Sequence, residues 1–308
     1  MAGDRRHGTD AILPNSRQWT FHNAKGNPYV LQVAWPLGWK SSTESNGEQV
    51  PVFWVLDSNA YFFSVAEAVR RAAVHPGSIS GIVIGVGYPP TSPFPFYGQR
   101  NWDLTPPSPK YVPLEDKDGN KFTPQPGGAN EFLDFIVNDA TKFLFEEAEA
   151  GLDRKTVKEH VLVGHSYGGL CTLHALFSGY QTFDTFVAVS PSIFWNDSFI
   201  LTEQDRFLAQ TDATTTQKKP RLFISYGHYE QVPHRLPDWT DEENEKWQKH
   251  AQSWNTAGHA EALAQKMTES GRFENVRLKS YPEEDHLSVA ICGMNWGISC
   301  VLNTHRFK

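Results

Sequence analysis

Between Val161 and Leu170 the chain reads VLVGHSYGGL, and this stretch restricts the fold more than any other. An apolar run, Val161 to Val163, stops at Gly164. His165, Ser166, Tyr167, Gly168 and Gly169 come next, and then a helix-compatible segment, LCTLHALFS. This is G-x-S-x-G set between a strand and a helix. In that context the serine sits on a sharp, strained turn with its hydroxyl projecting into a cleft. A side chain at Gly164 or Gly168 would collide with the neighbouring strand and helix. The helix that starts there aims its free N–H groups and its positive dipole end at the same point, where an oxyanion can be held. The plainer alternative is a Gly-rich turn that only lets strand and helix pack closely. The apolar segments on both sides favour a nucleophile at Ser166.

The rest of the chain falls into alternating segments without an internal repeat. Arg17 to His22 and Tyr29 to Trp35, separated by Lys25-Gly26-Asn27, predict a β-hairpin. Pro51 to Leu56 predicts a buried strand, Tyr61 to Val74 a helix closed by His75-Pro76-Gly77, and Ile79 to Val86 the next strand. Residues 88–128 are rich in Pro, Gly and aromatics and predict a long functional loop insertion. Asn130 is the expected cap of a helix with an apolar face through Phe132, Phe135, Ile136, Ala140, Phe143 and Leu144, ending at Gly151. After the Ser166 turn and its helix come a strand at Phe183 to Val189, helical structure from Phe194 to Ala209, and a strand at Leu222 to Tyr226. The polar, Trp-containing stretch 228–255 predicts a lid or solvated insertion, followed by a helix to Ser270. Val276 to Tyr281 is the expected last strand and Leu287 to Leu302 the last helix. Strands alternating with helices predict an α/β fold, a mostly parallel central sheet with the N-terminal hairpin as antiparallel edge strands, in one domain spanning 1–308.

A chain of 308 residues with 20% charged and 39% hydrophobic residues suits a globular protein. Its formal net charge of −7 and lack of a basic stripe argue against a nucleic-acid partner. No run is apolar and long enough to span a bilayer, so no membrane partner is expected. The first residues, MAGDRRHGTDAILPNS, lack the apolar core of a secretory signal, which makes a cytoplasmic location the expectation. Three cysteines, Cys171, Cys292 and Cys300, fit buried thiols in a reducing compartment better than a Cys292–Cys300 bridge. There is no H-E-x-x-H, no paired C-x-x-C and no Gly-rich loop ending in Lys-Ser/Thr, so neither a metal nor another cofactor is expected.

A serine hydroxyl needs a base within hydrogen-bond reach. Functional residues of open α/β sheets lie past the carboxyl ends of strands, and that rule sorts the twelve histidines. His286, in YPEEDHLSV after the last strand, is the expected base. His228 and His234 follow the preceding strand. His165 adjoins the serine on a tight turn that points the two side chains apart, and His174 falls within a helix. The order serine, acid, histidine places the acid after the Leu222 to Tyr226 strand, with Glu230 first and Asp238 as the alternative. A Ser–His dyad without a carboxylate is the other possibility. Glu283, Glu284 and Asp285 either tune His286 or form a solvated turn. For the oxyanion the expected donors are the backbone N–H groups of Tyr167 and Asn59.

Several longer stretches resemble one known group. VLDSNAYF (Val55 to Phe62), RNWDLTP (Arg100 to Pro106), VGHSYGGL (Val163 to Leu170) and VSPSIFW (Val189 to Trp195), with EEDHLSV and LQVAWP, are similar to esterase-D-like α/β hydrolases. The likeness is greatest to siderophore esterases of the enterobactin and triacetylfusarinine type. It implies the α/β-hydrolase fold and serine esterase chemistry at Ser166 with His286. It also implies a substrate entrance shaped by Arg100 and Asp103, with Trp195 as a further substrate-binding residue. An alternative for Arg100 is a structural pair with Asp103. Ser58 stands where such proteins commonly have Gly. The expected substrate is a small-molecule ester, an iron-loaded hydroxamate tri-ester siderophore of the triacetylfusarinine C type, hydrolysed to release iron. The alternatives are another acyl-ester or thioester hydrolase or acyltransferase, or a non-catalytic binding protein on the same scaffold.

Overall fold

The computed structural model describes residues 12–45, 47–90, 93–96, 98–121, 127–147, 151–210 and 218–303. Its centre is one eight-stranded sheet in the order β1-β2-β4-β3-β5-β6-β7-β8. β1 (Ser16–His22) and β2 (Pro28–Ala34) form the hairpin, and β2 runs antiparallel to β4 (Ile82–Gly87). From β4 onward every pairing is parallel, through β3 (Val50–Leu56), β5 (Val157–His165), β6 (Thr185–Val189), β7 (Arg221–Gly227) and β8 (Asn275–Tyr281).

The central strands are apolar throughout because helices cover both faces. Alternation still sorts their side chains. Phe53, Val55, Val161, Val163, Val187 and Val189 join the core beneath α1 (Ser58–Ala73) and α9 (Val289–Leu302). Val52, Trp54, Leu56, Leu162 and Leu222 join the opposite core, closed by the Ala129–Glu146 helical run, α5 (Tyr167–Phe177) and α8 (Thr256–Glu269).

Four local readings are corrected. α1 begins at Ser58, ahead of the expected Tyr61, because Asp57 in the left-handed region (φ 52°) turns the chain directly from strand to helix. Residues 88–128 are interrupted by a short helix, α2 (Gln99–Asp103). The following run is α3 (Ala129–Asp134), a π segment (Phe135–Ala140) and α4 (Thr141–Glu146), so it ends before Gly151. Its N-cap is Gly128, and Asn130 instead meets His174 at 2.8 Å. The stretch 228–255 is not a plain insertion: a 3-10 turn (His228–Glu230) continues β7, and α7 (Asp241–Trp254) follows, opened by a reciprocal Thr240–Glu243 capping box. α6 (Trp195–Ala209) completes the helices. All three cysteines are free thiols.

Candidate active site

The strand-to-helix turn at Ser166 is held by its surroundings in a conformation L residues avoid, φ 58° and ψ −119°. Such a position costs about 1–3 kcal/mol and persists only where neighbours over-determine it. Here the Ser166 N–H donates to the Val189 carbonyl at 3.0 Å, and the Ser166 carbonyl accepts from the N–H groups of Leu170 at 2.9 Å and Ser192 at 3.2 Å. A Cβ at Gly164 would stand 2.1 Å from the Gly168 carbonyl oxygen, so the first glycine of G-x-S-x-G is a packing requirement of this turn. A Cβ at Gly168 would meet nothing nearer than 3.4 Å, so the collision expected there is not found.

His286 arrives from the other end of the chain. The turn after β8 is built by Asp285, whose Oδ1 accepts the N–H groups of Leu287 and Ser288, each at 2.8 Å. These bonds hold the Asp285 carboxyl below its ordinary range. The turn delivers His286 Nε2 to 2.9 Å from Ser166 Oγ and His286 Nδ1 to 2.7 Å from Glu230 Oε2. A carboxylate only accepts, so Nδ1 carries the hydrogen and Nε2 is free to receive the serine proton. Glu230 is buried, and its Oε1 accepts from the Gly227 N–H at 2.8 Å and from the Ser190 hydroxyl. Asp238 is exposed, and Glu283 is exposed on the turn. Of the two carboxylates weighed from sequence, Glu230 is the one bonded to His286.

His165 and Tyr61 form a second buried pair behind the first. The His165 ring stands 4.7 Å from that of His286, and its Nε2 donates to the His286 carbonyl at 2.7 Å. Nδ1 is therefore an acceptor, and the Tyr61 hydroxyl donates to it at 2.8 Å. Burial, together with the neighbouring His286, pushes the His165 imidazole well below its ordinary range, which keeps it neutral. It braces the His286 backbone and does not reach Ser166 Oγ as a base. His174 is likewise committed elsewhere, bonded to Glu203 at 2.7 Å.

These groups open into a cavity of about 900 Å³, lined among others by Arg100, Leu114, Ser166, Tyr167, Ser192, Phe194, His234, Trp247, Trp254 and His286. Arg100 lines it, but its guanidinium is bound at both ends by Asp57, at 2.8 Å each. The expected Arg100–Asp103 pair is not formed. Asp103 points into the core, where Tyr29 and Gln99 donate to it at 3.2 Å each, and burial pushes its carboxyl up to about 7. Asp103 is thus a support beneath the wall, not part of it. Trp195 is also displaced from its expected role. It is fully buried in the core as the first residue of α6, and Phe194 is the ring that faces the cavity. Tyr167 lines the cavity as the first residue of α5, whose N-terminal amides lack helical partners. Asn59 does not line it. Because α1 starts early, Asn59 lies in the helix's first turn, with its side chain clamping the Tyr88 backbone through bonds of 2.7 and 2.8 Å.

Ser190, Tyr61 and Asp57 escaped sequence reading. Two of them stand immediately past strand ends, Asp57 after β3 and Ser190 after β6, and polar residues there were the available signal. Nothing local marks Tyr61, which lies on a helix. Among the described residues no cluster of three or more His, Cys, Asp or Glu is arranged to hold a metal ion.

Comparison with known proteins adds independent information. The model of the Esterase family ("Putative esterase") matches residues 23–271. The chain is 37% identical over 290 residues to a siderophore enterobactin esterase of Emericella nidulans, covering 94% of each chain. It is 35% identical over 298 residues to a siderophore triacetylfusarinine C esterase of Aspergillus fumigatus, covering 96% of each. Its fold is similar to that of the siderophore hydrolase EstA from Aspergillus nidulans, with a TM-score of 0.87 at 34% identity over 97% of this chain and 99% of that one.

Proposed function

This chain belongs to that esterase family, and from this premise we propose that it is a serine esterase that hydrolyses the ester bonds of a siderophore. The observation that carries the proposal is the continuous hydrogen-bonded line Ser166–His286–Glu230 at the floor of a cavity large enough for a macrocyclic ester.

In this reading Ser166 Oγ attacks the ester carbonyl while His286 Nε2 takes its proton. Glu230 holds the imidazole tautomer and stabilises the imidazolium that forms. The Tyr167 N–H and the positive end of α5 face the developing oxyanion, a contribution commonly worth about 3 kcal/mol per donor. His286 then protonates the leaving alkoxide. Water, deprotonated by the same nitrogen, attacks the acyl-enzyme and releases the acid. Opening the ester linkages destroys the chelating arrangement and lets iron go. Among the described residues no helix is long and apolar enough to cross a membrane. We place the activity in the cytoplasm, a reading supported by three free thiols.

The test combines labelling with product analysis. A fluorophosphonate should label the wild type and not Ser166→Ala. Mass spectrometry of siderophore triesters incubated with the protein should show linear fragments and monomers. A folded wild type that takes no label ends the serine-esterase reading. A labelled one that opens simple esters and no siderophore ends the substrate assignment.

A further inference from the structure

We infer that the cavity selects an iron complex of zero net charge, a ferric tris-hydroxamate ester, over a tris-catecholate ester complex carrying three negative charges. This rests on the siderophore-esterase reading and deepens it. The relatives do not decide between ligand types, because those reported above are named for different siderophores. The charges facing the cavity do.

Each hydroxamate binds iron after losing one proton, so three of them cancel Fe(III). Each catecholate loses two, leaving the complex at minus three. A site that admits the second complex needs cations free to meet it. Among the described residues lining the cavity, Arg100 is the one guanidinium or ammonium, and both of its ends are held by Asp57. On the same lining stand three carboxylates: Glu115, which lies 3.7 Å from Lys121, Glu230, which is bonded to His286, and Asp285. Of the cations adjoining lining residues in sequence, Arg235 pairs with Asp241, Lys117 lies 2.9 Å from Asp118 and Lys246 lies 3.1 Å from Glu242, while Lys249 is exposed on α7 outside the lining.

The remaining wall opposes an anion as well. Phe194 and Trp254 stack with their centroids 4.7 Å apart and 5° between planes. Aromatic faces carry negative charge density, which suits a neutral apolar shell and repels an anion. The whole chain, at a formal −7, adds a field of the same sign.

The experiment is competition. Ferric triacetylfusarinine C and ferric enterobactin are each titrated against hydrolysis of a short-chain p-nitrophenyl ester, at low and high salt, with products followed by mass spectrometry. The ferric catecholate should inhibit at least about tenfold more weakly than the ferric hydroxamate at about 0.02 M salt, and the gap should narrow at about 0.5 M as repulsion is screened. Leu236→Arg, which adds a guanidinium to the lining, should improve the ferric catecholate relative to the ferric hydroxamate by about fivefold. Equal inhibition by the two complexes at low salt overturns the inference, as does a gap indifferent to both salt and Leu236→Arg. The siderophore reading fails separately, if neither triester is opened in iron-loaded or metal-free form.

Discussion

The floor of the cavity and the wall that faces it are built in different ways. The floor is made by strand ends. β5 presents Ser166, β6 leads to Ser190, β7 runs into Glu230, and the turn after β8 carries His286. Its polar groups are matched to one another: Glu230 alone receives three donors, and the backbone of His286 is held by His165. The facing wall comes from connections, with Leu114 and Glu115 from the long loop, Phe194 after β6, and Trp247 and Trp254 from α7. Its members meet mainly ring to ring. The contrast assigns bond breaking to the rigid sheet edge and choice of molecule to the segments that sheet packing leaves free to vary.

If that division holds, changes in the floor should strike turnover and changes in the wall should strike binding. The largest effect is expected for Ser166→Ala or His286→Ala, which should each lower kcat by on the order of 10⁴-fold or more while the fold survives. Steady-state kinetics with a chromogenic ester and circular dichroism check both halves. Next is Glu230→Gln, expected to lower kcat by about 10³-fold through loss of the correct tautomer. A drop below about tenfold would mean the site works as a dyad.

The wall is tied to the core by a group that titrates, which gives a pH-dependent test. Asp103 sits on α2 with Arg100, and burial raises its carboxyl from 3.8 to about 7. The folded chain then holds this proton more tightly than the unfolded one. The stability it provides is complete below about pH 4 and is lost as pH rises toward 7. Asp103→Asn lacks the titration. The stability difference between wild type and variant should therefore shift in the variant's favour by up to about 3 kcal/mol between pH 5 and pH 8. Urea midpoints at the two pH values measure it.

Smaller effects refine the contrast. Trp254→Ala, in the wall, should raise KM for a siderophore ester about tenfold with kcat within about threefold. A matching collapse of kcat would break the proposed division. Tyr61→Phe removes the donor to His165 and should cost about 1–2 kcal/mol of stability, with a few-fold fall in kcat as the His286 backbone loosens. A fall in kcat with unchanged stability would show that Tyr61 acts by another route.

How much could be read in advance varied with how local the cause was. The parallel strands showed themselves as apolar runs, and Ser166 as a serine between glycines at a strand end. His286 and Glu230 followed from the rule that site residues stand past strand ends. The misplacements have a common origin. Arg100 and Asp103 are three residues apart on one short helix, yet one turns to Asp57 and the other into the core beside Tyr29. Neighbouring Phe194 and Trp195 divide in the same way between cavity and core. On a helix or a helix start, adjacent side chains point to different environments, and the linear text does not say which. Asn59 stands in a helical first turn and not on an open loop, because the Asp57 backbone turns sharply enough to start α1 three residues early.

The sequence by itself settled the layered architecture, the strained serine turn and the residue types available for acyl transfer, because these follow from periodicity and from steric limits at glycine. Only the tertiary structure decided which carboxylate meets His286, that Arg100 has its charge answered by Asp57, and that the cavity offers no uncommitted cation among its described lining residues. Charges and hydrogen bonds act over a few ångströms of space. The partners here lie 43, 56 and 120 positions apart in the chain, so their meeting is a property of the folded sheet and not of any segment of it.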